Sequence, residues 1–326
     1  MPKLTLGNLA TEIPTEGDAY IYLESLRWPE KPVCPHCGVM NDHYYLEPEN
    51  GYSRTTTRGS ESERRVWKCK DCRKQFSATT GTVFHGSKVP LRTWLFVFFE
   101  MCCNKNGIAA REIARKYGVA PKTAWFMTQR IREAMMNDST GKLSGNIVAD
   151  ETFFGGDVKN WHKNDPRRAG FDGGNVTPYK TPVVALIEAE TGEIRAKVIT
   201  TVSGPRIRKI IQDNVELRNS TLHTDSAPVY RAIGKEMAAH HVVNHTVGQY
   251  VTELSDGTNK AENFFSQLKR SIDGTHHNVS PEHLHRYVSE FAFRHSTHMI
   301  SDEARMTRLM GQVYGRRMTY KTVTGL

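Results

Sequence analysis

"NIVADETFFGG", residues 146–156, sets the reading of the second half of the chain. Apolar residues with high β-propensity surround Asp150 and stop at paired glycines, the pattern of a strand closed by a turn. Alternation along a strand sends Asp150 and Glu151 to opposite faces, so Glu151 ranks as a neighbour of Asp150. Downstream, "TPVVALIEA" (181–189) and "EIRAKVITTV" (193–202) are joined by "ETGE" and read as a hairpin. "GPRIRKIIQDNV" (204–215) is an amphipathic helix, and "STLHTDSAPVY" (220–230) holds a short strand that ends at Asp225. "HVVNHT" (241–246) is a further strand candidate, followed by the helical "TNKAENFFSQLKRSI" (258–272). Three strands, helix, strand, helix, strand, helix predict an α/β fold with a mixed sheet flanked by helices. Residues 155–181 read as an exposed loop first and a DNA contact second.

In the 258–272 helix, Phe265, Leu268 and Ile272 supply the packing stripe. Glu262 and Lys269 lie seven residues apart and share another face with Asn259. In a mixed sheet, Asp150 and Asp225 can be neighbours, and a helix packed across the sheet can present Glu262 to both. Three converging carboxylates repel, so they need cations. Mg2+, or Mn2+ in its place, prefers such hard oxygen ligands. Two ions about 4 Å apart can activate a water and stabilise the leaving oxygen of a phosphodiester. Lys269 is then placed to bind the phosphate beside the scissile one, with Arg270 next to it. Asn259 rivals Glu262 as the third ligand, being an oxygen donor on the same face.

The first half of the chain carries a different kind of ligand. "CPHC" (Cys34, Cys37) and "CKDC" (Cys69, Cys72) form two C-x2-C knuckles with 31 residues between them. In a reducing compartment this spacing suits one zinc ion held by four thiolates. Cys102 and Cys103 sit in an apolar run and read as core. Lys68, Lys70, Arg73 and Lys74 make the second knuckle basic and suit it to DNA phosphates. "LRTWLFVFFEMCC" (91–103) is apolar nearly all round and predicts a buried helix. The next stretch, "GIAAREIARKYGVAPKTAWFMTQRIREAM", reads as helix, turn at Gly118, then a helix with Pro121 near its start. That is a helix-turn-helix, with Lys122, Thr123 and Gln129 as groove-facing candidates.

Lys+Arg outnumber Asp+Glu by 44 to 35, and the resulting charge of +9 favours a polyanionic partner. The longest apolar run, "WLFVFF", is too short to span a bilayer, and "MPKLTLGNLATEIPTEG" has no secretory pattern. The expectation is a cytoplasmic chain with reduced cysteines and no membrane partner.

Taken together, "RWPEKPVCPHCG", "VWKCKDCRKQFSATTGTVF", "VADETFFGG", "HTDSAPVY" and "TNKAENFFSQLKRSIDGTHHNVSPEHLHRYVSEFAFRH" resemble a bacterial insertion-sequence DDE transposase. The resemblance is to the kind with an N-terminal zinc ribbon and an RNase H-like catalytic domain. It implies cleavage and transfer of double-stranded DNA at an element's terminal inverted repeats. It also implies a divalent metal, a homo-oligomeric synaptic complex, and Asp150, Asp225 and Glu262 as the acidic triad. Expected domains are a zinc ribbon over 1–90, a helix-turn-helix over 91–140, a catalytic domain over 146–300 and a tail over 301–326. Competing functions are a DNA-binding regulator without catalysis and a nuclease without strand transfer. The four histidines between 276 and 285 lie beside Leu284, Tyr287, Val288 and Phe291 at helical spacing, so that helix is chiefly core.

Overall fold

The computed structural model describes residues 4–40, 42–48, 51, 53–56, 59–136, 141–156, 164, 179–243 and 259–324. Two compact units emerge, one of residues 1–135 with 300–326 and the other of residues 136–299. Most of the 155–181 loop and the end of the 241–246 strand candidate lie outside the described residues.

The first unit opens with α1 (Leu6–Glu12) and α2 (Glu16–Arg27). Thr15 and Asp18 form a reciprocal capping box at the start of α2. Five two-residue strands follow: β1 (Tyr44–Tyr45), β2 (Arg54–Thr55), β3 (Glu61–Ser62), β4 (Trp67–Lys68) and β5 (Gln75–Phe76). β1, β4 and β5 form one antiparallel sheet, while β2 and β3 pair by themselves. Strands this short need side chains to hold them. Glu24 of α2 accepts from Trp67 Nε1 (2.9 Å) and Arg65 Nε (2.8 Å), and Phe76 packs edge-on against Trp28 and His43.

Three helices continue this unit: α3 (Leu91–Cys103), α4 (Ala110–Tyr117) and α5 (Pro121–Ala134). Pro90, before α3, has no side chain able to cap it. The Glu16 carboxylate replaces the missing cap, accepting from Leu91 N (2.6 Å) and Arg92 N (2.9 Å). Trp94, Leu95, Phe98 and Met101 bury the helix as the sequence predicts, and Cys102 is buried with them. Gly118 takes φ +64 between α4 and α5, a left-handed turn that costs a glycine little.

Residues 301–326 are not a tail. α10 (Asp302–Gly311) and α11 (Tyr320–Thr324) belong to the first unit. Met306, Leu309, Met310 and Val313 are buried, and Val83 N donates to Val313 O (3.1 Å) and Gly315 N to Gly81 O (3.0 Å). Their spacing of three, four and seven is a core-facing stripe, which is why the segment folds back.

The second unit is a five-stranded sheet with helices on both faces. Its strands are β6 (Leu143–Phe154), β7 (Thr181–Glu188), β8 (Ile194–Val198), β9 (Val215–Thr224) and β10 (Ala239–Val242). The spatial order is β10-β9-β6-β7-β8. β7 is antiparallel to β6 and β8, whereas β9 is parallel to β6 and β10. This is the RNase H-like arrangement. α6 (Gly204–Asn214) and α7 (Arg231–Gly234) are contributed by the chain around β9. One core places Ile147, Ala149, Val184 and Leu186 with Ile207 and Ile211 of α6. The opposite core places Val148, Val183 and Ala185 with residues of α8 (Asn259–Ser271) and α9 (Pro281–Ser296). β7 is buried on both faces, so its sequence is a continuous apolar run without alternation. Among the described residues no helix is long and apolar enough to cross a membrane.

Candidate active site

Register decides where the acidic residues fall. Val148 of β6 is aligned with His223 of β9, in parallel. Two residues on are Asp150, within β6, and Asp225, the first residue after β9, so both aspartates lie at the same end of neighbouring strands. Asp150 shares the parity of Val148, whose side chain packs with α8 and α9. On α8, Ala261, Phe264, Phe265 and Leu268 are buried in that same core, which lays the helix across the face carrying Asp150. Glu262, next to the buried Ala261, is exposed.

The electrostatics follow from this placement. Burial pushes the Asp150 carboxyl up to about 7, and the negative charges of Glu151, Asp225 and Glu262 push the same way. The Glu151 N–H opposes them, donating to Asp150 Oδ1 at 2.8 Å. Asp225 Oδ1 accepts from Ala227 N (3.0 Å), which fixes the turn after β9. The three carboxylates are not among the described groups whose ligand atoms all lie within 4.8 Å. Hard oxygen donors of this charge fit divalent cations of the Mg2+ type.

Glu151 points to the other side of the sheet, as alternation predicts. There it accepts a hydrogen bond from Tyr230 OH, in the core containing Ile147 and Ile207. Burial and the Glu151 charge raise the Tyr230 phenol well above its usual range. This bond ties the segment after Asp225 to β6 and so positions both aspartates. Sequence reading assigns Tyr230 no role. The available signal was its place five residues beyond Asp225 in "DSAPVY".

Lys269 and Arg270 are exposed near the end of α8. Lys269 lines a cleft of about 730 Å³ with Gly155 and Gly156, just beyond β6, and with Lys180 and His277. Asn259 is exposed at the first residue of the helix.

In the first unit the four cysteines converge. Cys34 Sγ lies 3.7 Å from Cys72 Sγ, and Cys37 Sγ 3.7 Å from Cys69 Sγ. A tetrahedron with zinc–sulfur bonds of about 2.3 Å has edges of about 3.8 Å, so the cluster fits zinc. Burial pushes the Cys34 thiol up to about 12. At Cys69 burial acts upward as well, but hydrogen bonds from the Cys72 and Asp71 amides and from the Cys72 and Cys37 side chains together bring the thiol down to about 7. Around the cluster, Lys68 and Lys70 are half-buried while Arg73 and Lys74 are exposed.

The helix-turn-helix candidates separate. Lys122 is exposed above the Tyr320 ring (4.5 Å), and Thr123 is half-buried. Gln129 is fully buried and does not face a groove. The reason is that the second half of α5, Met127 to Arg132, is enclosed on every side.

Comparison with known proteins adds matches of three kinds: family domains, a relative and solved structures. Residues 142–296 match the ISXO2-like transposase domain, and residues 14–75 match the transposase zinc-ribbon domain. An uncharacterized protein in transposable element ISH50 of Halobacterium salinarum is 26% identical over 285 residues, spanning 86% of this chain and 90% of its own length. The catalytic core domain of BIV integrase is similar at 15% identity, covering 46% of this chain and 81% of its own, with a TM-score of 0.27. The simian T-cell lymphotropic virus intasome, in complex with a PP2A regulatory subunit, gives 11% identity, 62% and 65% coverage and a TM-score of 0.29. Sheet order, and not these last two likenesses, carries the fold assignment.

Proposed function

We propose a function from one premise: the chain belongs to the transposases that join a zinc ribbon to an ISXO2-like transposase domain. On this reading it cuts double-stranded DNA at the terminal inverted repeats of an insertion sequence and joins the ends to a target. The observation that carries the proposal is the β6–β9 register, Val148 beside His223, which leads Asp150 and Asp225 to the same end of the sheet, with the charges of Asp225 and Glu262 reaching Asp150.

Asp150, Asp225 and Glu262 would hold two Mg2+ or Mn2+ ions. Bound there, such ions supply an activated water or 3′ hydroxyl and a stabilised leaving oxygen. The protein's own part is orientation. The Glu151 amide holds Asp150, the Ala227 amide holds Asp225, and the Tyr230–Glu151 bond keeps the two strands in step. Lys269, about two turns along α8 from Glu262, binds the neighbouring phosphate, and Arg270 assists it. The zinc ribbon holds DNA through Lys68, Lys70, Arg73 and Lys74, and the helix-turn-helix through Lys122 and Thr123. Paired ends need paired proteins, so the working form is a homo-oligomer.

The test uses supercoiled plasmid carrying the inverted repeats, with Mg2+, followed by a pre-cut repeat end offered with target DNA. Metal-dependent nicking and joined product are expected. Nicking without joining would leave a nuclease, and binding without nicking would leave a regulator.

A further inference from the structure

The two zinc knuckles are built alike, which makes each a reference for the other. Cys34 N donates to Val39 O and Cys69 N to Lys74 O, both at 3.0 Å. In each knuckle the residue after the second cysteine is left-handed: Gly38 at φ +76 and Arg73 at φ +62. For glycine this conformation is free of strain, but for arginine it crowds Cβ against the backbone.

Among the described residues only His277 shares this departure, and His277 Nδ1 has a local partner in Asp273 O (3.2 Å). Arg73 is exposed and makes no hydrogen bond or ion pair among the described residues, so nothing in the fold needs its guanidinium. The neighbouring positions differ in charge in the same sense. Lys70, Arg73 and Lys74 of the second knuckle stand where the first has Pro35, Gly38 and Val39.

We propose that the second knuckle, and not the first, is the DNA-facing turn of the ribbon, and that Arg73 is kept in a strained backbone position because its guanidinium contacts a DNA phosphate. The inference rests on the transposase reading above and sharpens it to one turn. Strain retained at an exposed residue without structural partners marks a residue held for its ligand.

The experiment separates backbone from side chain in the full-length, zinc-loaded protein. Arg73→Gly relieves the strain and removes the guanidinium; Arg73→Ala removes the guanidinium and keeps the strain. Thermal unfolding and binding to a short inverted-repeat duplex are measured across a salt series. Arg73→Gly should raise the unfolding midpoint by a few degrees, and Arg73→Ala should not. Both should weaken duplex binding by about eightfold in 0.1 M salt and flatten the log–log salt slope by about 0.9, the size of one phosphate contact. Gly38→Arg, where a Cβ meets nothing within 4 Å, should lower the midpoint and leave the salt slope unchanged.

Wild-type binding and salt slope in both Arg73 variants would overturn the inference. So would a fall in midpoint in Arg73→Gly, or an equal gain in slope from Gly38→Arg. If the zinc-loaded wild type itself binds no duplex, the transposase reading fails at its DNA step; if it binds and the variants match it, only the role of Arg73 fails.

Discussion

The four cysteines and the three carboxylates are assembled in opposite ways. The cysteines come from two short knuckles whose backbone geometry is fixed within a few residues, and their sulfurs lie 3.7 Å apart in two pairs. The carboxylates come from β6, the end of β9 and α8, and their oxygens do not gather within 4.8 Å. A closed tetrahedron of thiolates fills a zinc ion's coordination and leaves no place for a substrate. A looser set of carboxylates leaves coordination positions open, as exchange with a phosphodiester requires. The difference teaches that local spacing gathers the four thiols, whereas sheet register brings the two aspartates to one end of the sheet.

The strongest test of this contrast is removal of thiolates. Cys69→Ser with Cys72→Ser should lose all bound zinc and unfold the ribbon, because metal binding energy of order 10 kcal/mol is folding energy there. Metal analysis and Trp67 fluorescence report it, and retained zinc would refute the four-thiolate site. Next in size, Asp150→Ala or Asp225→Ala should reduce strand cleavage by at least roughly a thousandfold while duplex binding holds. Residual metal-dependent cutting in either variant would sink the two-ion scheme. Glu262→Ala should fall as far, and Asn259→Ala should stay near wild type in the same plasmid assay; the reverse result would move the third ligand to Asn259.

Stability should respond with opposite sign in the two clusters. In metal-free protein above pH 7, where the Asp150 carboxylate is charged, Asp150→Asn removes a charge disfavoured first by burial and then by Glu151, Asp225 and Glu262, and should stabilise the second unit by about 1–3 kcal/mol. Thermal unfolding in chelator is the measurement, and a lower midpoint than wild type would show that the carboxylates do not crowd one another. Smallest is Lys269→Ala, which should lower strand transfer about tenfold through weaker DNA engagement, leaving the metal dependence unchanged. A shift in the Mg2+ requirement would mean that Lys269 acts on the metal and not on phosphate.

Much of this was legible from sequence because it depends on short-range pattern. The run at 91–103 is α3 residue for residue, Gly118 turns where the helical pattern breaks, and the order of strands and helices from 143 to 271 follows the reading. The 204–215 pattern gives α6 within one residue. What was hidden depends on partners far away in the chain. Met306, Leu309 and Met310 form an apolar stripe whose destination, the first unit, no local pattern names. Gln129 is polar and seven residues from Lys122, so periodicity puts both on one face, but packing encloses only the later half of α5. β10 begins at Ala239, three residues before the apolar pair that suggested it, because its register is set by Thr221 to Thr224 of β9. The acidic residues could be picked out by context, but their meeting required the β6–β9 register, which no single segment encodes.

The return of residues 300–326 into the first unit has a consequence for synthesis. The second unit is an insertion within the first, so the ribosome makes all of residues 136–299 before supplying Val313 and Gly315 to Val83 and Gly81. At about 5–20 residues per second, the first unit waits on the order of ten to thirty seconds for its closing segment. During that interval the second unit can fold as a continuous stretch of nascent chain. The first unit, although translated first, is therefore completed last, and a chain interrupted before Val313 would carry a finished sheet and an unfinished N-terminal unit.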